Sequence, residues 1–365
     1  MPPELSGLDT FDHVVVLMLE NRSFDNLLGY LYAKGVPAGK QFEGLQGKQI
    51  SNPGLDDKLI EASPGGDFHQ PYPDPGEEFE HVTYQLFGSE TAAGTPEMRG
   101  FVRDYGRTLQ ALSKWSGSAA AQSANIMKCF AAEWLPVLSG LAQSFAVFDH
   151  WFAAVPSQTW CNRAFWHAAT SWGWVNNPPA ASPGNPWNLE HWARSSAGET
   201  IFDLLQHKFG AGSWHIYSDL AVPLTKLIHW GSLKDRIGNE YFRYFEGGHP
   251  FHRNFFDDCA KGELPKYSFL EPHFINFLDD VIWHDDLHPS SFGSAAYSNG
   301  GPGSVLLGDQ LVSKVYEAIR KSNSASGSNW KNTLLIITFD EHGGCFDHVA
   351  PPTVTPPNVH EFNTG

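Results

Sequence analysis

Val14-Val15-Val16-Leu17-Met18-Leu19 runs without a break into Glu20-Asn21, and far along the chain Leu334-Leu335-Ile336-Ile337-Thr338-Phe339 runs in the same way into Asp340-Glu341. Apolar, β-branched runs of this length, with no polar alternation, mark strands buried on both faces of a parallel sheet. Ligands of open parallel sheets bind beyond the carboxyl ends of the strands. The two runs therefore predict an α/β fold and place Glu20, Asn21, Asp340 and Glu341 where their oxygens can converge.

Outward from these runs, helical patterning covers residues 23–32, with Asn21 or Ser23 as N-cap, and 78–87, 97–114, 133–143, 162–170, 200–207 and 305–321. Strands are expected at 144–148, 214–217 and 266–270, the last ending at Glu271. The alternation predicts a doubly wound, mostly parallel sheet flanked by helices. One domain over 1–365 accommodates it, with long loop excursions near 33–78 and 172–200; the first, rich in Gly, Pro and Asp, is expected at the surface rather than in the core. No strand follows the Asp340 motif. In a whole polypeptide that strand is the last of the sheet, whereas a chain truncated at its C-terminus lacks part of the sheet and of the site.

The 365 residues carry a formal net charge of -16, with 41% apolar and 18% charged residues, which fits a globular fold and excludes disorder. So acidic a surface repels a nucleic-acid backbone, although a bound metal and backbone N–H groups can still admit an anionic substrate. The four cysteines show no CxxC spacing, which argues against a zinc knuckle and leaves one or two disulfides open. No basic leader and no apolar stretch near the ~20 residues of a transmembrane helix is visible. The expectation is a soluble chain, cytoplasmic or secreted by a signal-less route.

Carboxylates and an amide at strand ends suit a hard divalent cation such as Ca, Mg or Mn, without excluding Zn. The plainer alternative has Glu20 capping the next helix and Asp340-Glu341 opening a turn at Gly343-Gly344. Phosphoryl transfer through a covalent intermediate also needs a nucleophile, best placed at a helix N-terminus. Thr159, in Pro156-Ser157-Gln158-Thr159-Trp160-Cys161-Asn162-Arg163, fits that position or serves as a simple N-cap, and Arg163 can pair with an acidic strand end or a phosphate oxygen. His288, His348 and His81 each stand near a carboxylate in the sequence, an arrangement that lets a histidine hand a proton to a leaving alkoxide. Seven tryptophans between Trp151 and Trp192 either cage a quaternary ammonium or pack the core.

Residues 11–25, Thr159-Trp160-Cys161-Asn162-Arg163, Asp285-Asp286-Leu287-His288-Pro289 and the run from Phe339 to Val349 resemble the phosphoesterase family of bacterial and plant non-specific phospholipases C and acid phosphatase A. The resemblance implies an alkaline-phosphatase-like fold and one divalent metal ion on Glu20, Asn21, Asp340 and Glu341. It further implies Thr159 as nucleophile, with His288 and His348 beside the phosphate or leaving group. The implied activity is phospholipase C-type cleavage of phospholipids, with peripheral membrane contact, or acid phosphatase action on small phosphomonoesters; a non-catalytic phospho-ligand-binding relative is the rival. Three features depart from the family. Cys161 replaces the usual Pro, the chain ends early after the Asp-His-Val segment, and Asp74-Pro75-Gly76 is followed by Glu77 where plant members carry His, a place that His81 is expected to fill.

Overall fold

Five parallel strands form the central sheet of the protein, whose computed structural model describes residues 7–112, 115–178, 192–194, 196, 198–220, 222–247, 253–274, 284–290, 304–355 and 357. The strands are β1 (His13–Leu19), β2 (Trp214–Tyr217), β3 (Phe242–Arg243), β4 (Tyr267–Leu270) and β5 (Thr333–Phe339), in the spatial order β3-β2-β4-β1-β5. Both long runs are thus strands, and they are neighbours. Their register pairs Leu19 with Phe339, so Glu20 and Asp340 leave the sheet side by side. Adjacent strands lie about 4.8 Å apart, which brings the two acidic pairs together before any side chain is considered.

The helices that frame the sheet are α1 (Phe24–Leu28), α2 (Phe79–Phe87), α3 (Phe101–Ala111), α4 (Pro136–Ser144), α5 (Thr159–Ala168), α6 (Ile201–Phe209), α7 (Phe255–Lys261) and α8 (Val305–Lys321). Successive residues of a strand face opposite ways. Accordingly Val15, Leu17 and Leu19 pack with Leu138 of α4, Phe255 of α7 and Val312 and Val315 of α8. Val16 and Met18 pack with Phe202 of α6 and with Ile216 and Phe269 on the other face. Both faces of β1 are covered, which explains the absence of polar alternation along it.

Three expectations need correction. Residues 144–148 form no strand: α4 runs on to Ser144, the Phe145 N–H bonds back to Leu141 O, and Phe145 and Phe148 are 61% and 67% exposed. Among the described residues no strand pairs with this segment to bury those side chains. The excursion at 33–78 is partly core, because Leu45 joins Phe101, Tyr105 and Phe346 in an apolar cluster, and buried Asn52 accepts from Phe101 N and donates to Met98 O. Helix α5 begins at Thr159 rather than at 162, with Gln158 as N-cap, so Thr159 occupies the first turn and is not the cap.

Truncating Leu17 to Ala removes a fully buried side chain from the middle of the sheet and is expected to cost about 2–5 kcal/mol in urea unfolding. Phe148→Ser, on an exposed segment outside the sheet, is expected to stay within about 0.5 kcal/mol of the parent.

Candidate active site

The two strand ends are joined by a buried cation. Arg163 Nε donates to Asp340 Oδ2 at 3.0 Å, and its Nη2 lies 3.2 Å from Glu20 Oε1 and 3.3 Å from the carbonyl of Met18. The guanidinium is fully buried and stacks 5.1 Å from the Phe274 ring. Asp340 Oδ1 accepts from the backbone N–H groups of Asn21 and Glu341 at 3.2 and 2.8 Å, so both of its oxygens are already engaged. Arg163 lies four residues after Thr159 on α5. The two side chains share a helix face, with Thr159 one turn nearer the N-terminus.

Backbone conformation sharpens the convergence. Asn21 sits at φ 55°, a left-handed conformation that Asn tolerates better than most residues. Gly343 and Gly344 are also left-handed, and a Cβ would stand 2.2 Å from Asn21 O at the first and 2.6 Å from Gly76 O at the second. Only glycines let the turn after Asp340-Glu341 close against both Asn21 and the Asp74–Glu77 turn.

That second turn adds carboxylates to the four strand-end residues. Glu77 Oε2 accepts from Asn21 Nδ2, and the Glu77 carboxyl meets that of Glu341. Asp74, Glu77 and His288 offer ligand atoms that all lie within 4.8 Å of one another. The loop bearing His288 is fixed to β1, since Glu20 N donates to Asp286 O at 2.7 Å and Arg22 Nε to Leu287 O at 2.7 Å. Within it Asp286 Oδ1 accepts from His284 Nδ1 at 2.5 Å and from His288 N at 2.9 Å.

Burial is the first cause of the shifted protonation equilibria here. It raises Glu20 well above the usual carboxylate range despite Arg163, and raises Glu77, with Glu341 adding to the effect. Glu341 rises through burial and Asp340, and Asp74 through burial and Glu77. His288 is lowered by burial against the pull of Asp286. Its Nδ1 faces Pro289 O at 2.6 Å, and a carbonyl only accepts, so the neutral ring carries its lone pair on Nε2. Among the described residues Asn21 Oδ1, Glu341 Oε1 and Asp74 Oδ1 are buried without a hydrogen-bond partner. An all-oxygen set holding such unpartnered atoms fits a hard divalent cation.

The other expected site residues lie elsewhere. His348 Nδ1 is 2.6 Å from Asp25 Oδ2 and its Nε2 is 3.2 Å from Glu43 Oε1 and 2.7 Å from Lys48 Nζ, in a group separate from the strand-end carboxylates. His81 Nδ1 turns to Asp104 Oδ1 at 2.8 Å, and the side chain that enters the cluster from the Asp-Pro-Gly turn is Glu77 itself. Trp160, Trp172, Trp174 and Trp192 pack on one another around Ile228, which is core packing, while Trp187 lies outside the described residues. All four cysteines are buried and free, and Cys161 donates to Asn176 O.

A model of the Phosphoesterase family matches residues 11–365. The chain belongs to this family. Among the relatives of this Phosphoesterase chain are non-specific phospholipases C6 and C1 of Arabidopsis thaliana, at 35% and 33% identity over 96% and 94% of the chain. The non-hemolytic phospholipase C of Pseudomonas aeruginosa is 26% identical over 98% of it. The chain covers 57%, 55% and 45% of these three proteins, about half the length of the relatives it matches.

Two outcomes follow from the geometry. Arg163→Met strands Glu20 and Asp340 without their buried partner and is expected to cost about 3–5 kcal/mol in chemical denaturation. His273, on the other side of the His288 loop, lies 2.9 Å from Asp219 Oδ2 and 3.0 Å from Asp285 Oδ2. Burial opposes its protonation, but the two carboxylates prevail and raise it to about 10. A histidine raised on folding stabilises fully below its unfolded value of about 6.5, and the gain fades as pH climbs through the folded value. His273→Gln is therefore expected to unfold more easily than the parent at pH 6, with the gap closing towards pH 10.

Proposed function

We propose that this chain hydrolyses phosphate esters at the ends of β1 and β5 through a phosphothreonine on Thr159, with phospholipase C-type cleavage of phospholipids as the reaction. One observation carries the reading. Arg163 ties Glu20 to Asp340 while standing on the same helix face as Thr159, so a hydroxyl at a helix start and a set of cation-ready oxygens belong to one construction. The names of the relatives, plant and bacterial phospholipases C, support the lipid substrate. Among the described residues no helix is long and apolar enough to cross a membrane, so contact with lipid would be peripheral.

Glu20, Asn21 and Glu341 would hold a divalent cation, with Asp340 behind them using the lone pairs that Arg163 and two N–H groups leave. When bound, such an ion polarises phosphoryl oxygens and lowers the pKa of a neighbouring hydroxyl. Thr159 Oγ1 forms its bond to phosphorus as the bond to the alcohol oxygen breaks, and the hydroxyl proton ends on the departing alcohol. Water then attacks the phosphothreonine, which restores the Thr159 hydroxyl and releases the phosphorylated head group. Asn162 shapes the approach to the nucleophile, since its side chain holds Val155 N at 2.8 Å and the carbonyls of Val155 and Ser157 at 3.0 and 2.8 Å. Asn176 ties Ser157 Oγ to the start of α2. His288 borders the reacting phosphate with a lone pair open to a proton or a cation. His348 and His81 act as positioning residues for α1 and α2.

The test is hydrolysis of p-nitrophenyl phosphorylcholine and p-nitrophenyl phosphate by the parent and by Thr159→Ala, with and without chelator. The expected pattern is turnover of the phosphodiester, loss of activity with chelator, and a fall of about 10³-fold or more in the variant. Undiminished turnover by Thr159→Ala would reject the nucleophile, and exclusive turnover of the monoester would favour the phosphatase reaction.

A further inference from the structure

One turn along α5 from Arg163 stands His167, and against its ring stands that of His229, on the stretch between Ile228 and Trp230. The two rings are nearly perpendicular with centroids 5.3 Å apart, and both residues are almost wholly buried. Phe202 of α6 and Phe269 of β4 close on the His167 ring at 4.7 and 4.4 Å, and Trp172 lies 5.8 Å from His229. The pair thus sits in an aromatic seat. All four of its ring nitrogens are buried without a hydrogen-bond partner, as is Nη1 of Arg163. A neutral imidazole so placed forgoes its hydrogen bonds to water, and an imidazolium there costs far more, because a charge withdrawn from water needs a partner.

The charged groups around the seat do not supply that partner. From α5 the Arg163 guanidinium repels a proton on His167, and so does His229. Asp203 of α6 pulls towards protonation of His229, but its carboxylate already serves Thr200, Ser232 and Arg236. Beyond Phe269 on β4, Glu271 accepts the N–H groups of Leu224 and Thr225, and its field falls on Arg163. Lys226 turns away to Arg236 O. Burial is the largest influence on both rings; it holds His167 well below its ordinary value and takes His229 down to about 3, although the Arg163 backbone pulls each ring the other way.

We propose that His167 and His229 form an acid-sensitive latch on α5. A proton taken by either ring parts the pair, α5 loses its packing on Phe202 and Phe269, and Arg163 and Thr159 leave the ends of β1 and β5. The direction with pH follows from burial. Above the unfolded value of about 6.5 the rings are neutral in the folded and the unfolded chain alike. Below it the unfolded chain takes protons that the fold refuses, so stability drains away as pH falls from there towards the folded values. His273 acts in the opposite sense, and differences between the parent and variants of the pair isolate the latch.

The latch itself is independent of the reaction proposed above; its effect on turnover rests on Thr159 as nucleophile, and the test reads the two apart. The parent, His167→Phe and His229→Phe are titrated from pH 8 to pH 3 without metal, and near-UV circular dichroism follows the tryptophans, Trp172 among them, that pack around the pair. The parent is expected to lose the signal reversibly, and each variant to lose it at a midpoint lower by about half a pH unit or more. A midpoint unchanged by substitution at both positions overturns the latch. His167→Gln and His229→Gln, which do not titrate, replace a Phe variant that does not fold at pH 8. Hydrolysis of p-nitrophenyl phosphorylcholine is then measured at pH 8, where parent and variants are expected to match, and at pH 5, where the variants are expected to retain about threefold more of their pH 8 rate. Equal losses at pH 5 despite separated midpoints overturn the effect on turnover. Absence of turnover by every chain at pH 8 overturns the proposed reaction, while the titration still decides the latch.

Discussion

A single buried guanidinium spans the ends of the two strands on which the rest of the site is built. Arg163 reaches Glu20 at the end of β1 and Asp340 at the end of β5, and the parallel register of those strands makes the reach short. An ion triad of this kind contributes little net stability against a well-packed apolar core, because desolvation offsets most of the attraction. Its value lies in position. Asp340, held by Arg163, accepts the N–H groups of Asn21 and Glu341, so this contact ties both strand ends to α5, the helix whose first turn carries Thr159.

Much of this was legible in the residues. The two apolar runs read as buried parallel strands because both faces of β1 are covered, and the pairing of Arg163 with an acidic strand end was open from its spacing to Thr159. Helix α8 spans 305–321 as its amphipathic pattern implies. The strand expected at 144–148 failed because Phe145, Ala146, Val147 and Phe148 are apolar without being buried, and local sequence does not state whether a neighbouring strand exists. The Asp74–Glu77 turn was missed for a different reason. Its Pro- and Gly-rich surroundings look like surface loop, and the left-handed Gly344, distant in sequence, shows that another backbone packs against it.

The histidines mark the limit of reading by spacing. Each of His81, His288 and His348 has a carboxylate near it in sequence, yet the hydrogen-bonded partners are Asp104 for His81, with Glu78 3.8 Å from its other nitrogen, and Asp25 and Glu43 for His348. Asp25 and Glu43 lie more than 300 residues from His348. Only His288 joins the strand-end carboxylates, because its loop is hydrogen-bonded to Glu20 and Arg22. Adjacency in sequence offered three equal candidates; tertiary hydrogen bonds separated them.

The central claim is that the strand ends hold a metal. The most direct measurement is a crystal structure after a Mn²⁺ soak, with anomalous scattering to locate the ion. The account predicts a peak at coordination distance from Asn21 Oδ1 and the Glu20 and Glu341 carboxylates, on the side that Thr159 faces. Full occupancy elsewhere, such as at Asp25, Asp347 and His348, with Glu20, Asn21 and Glu341 bare, would contradict it.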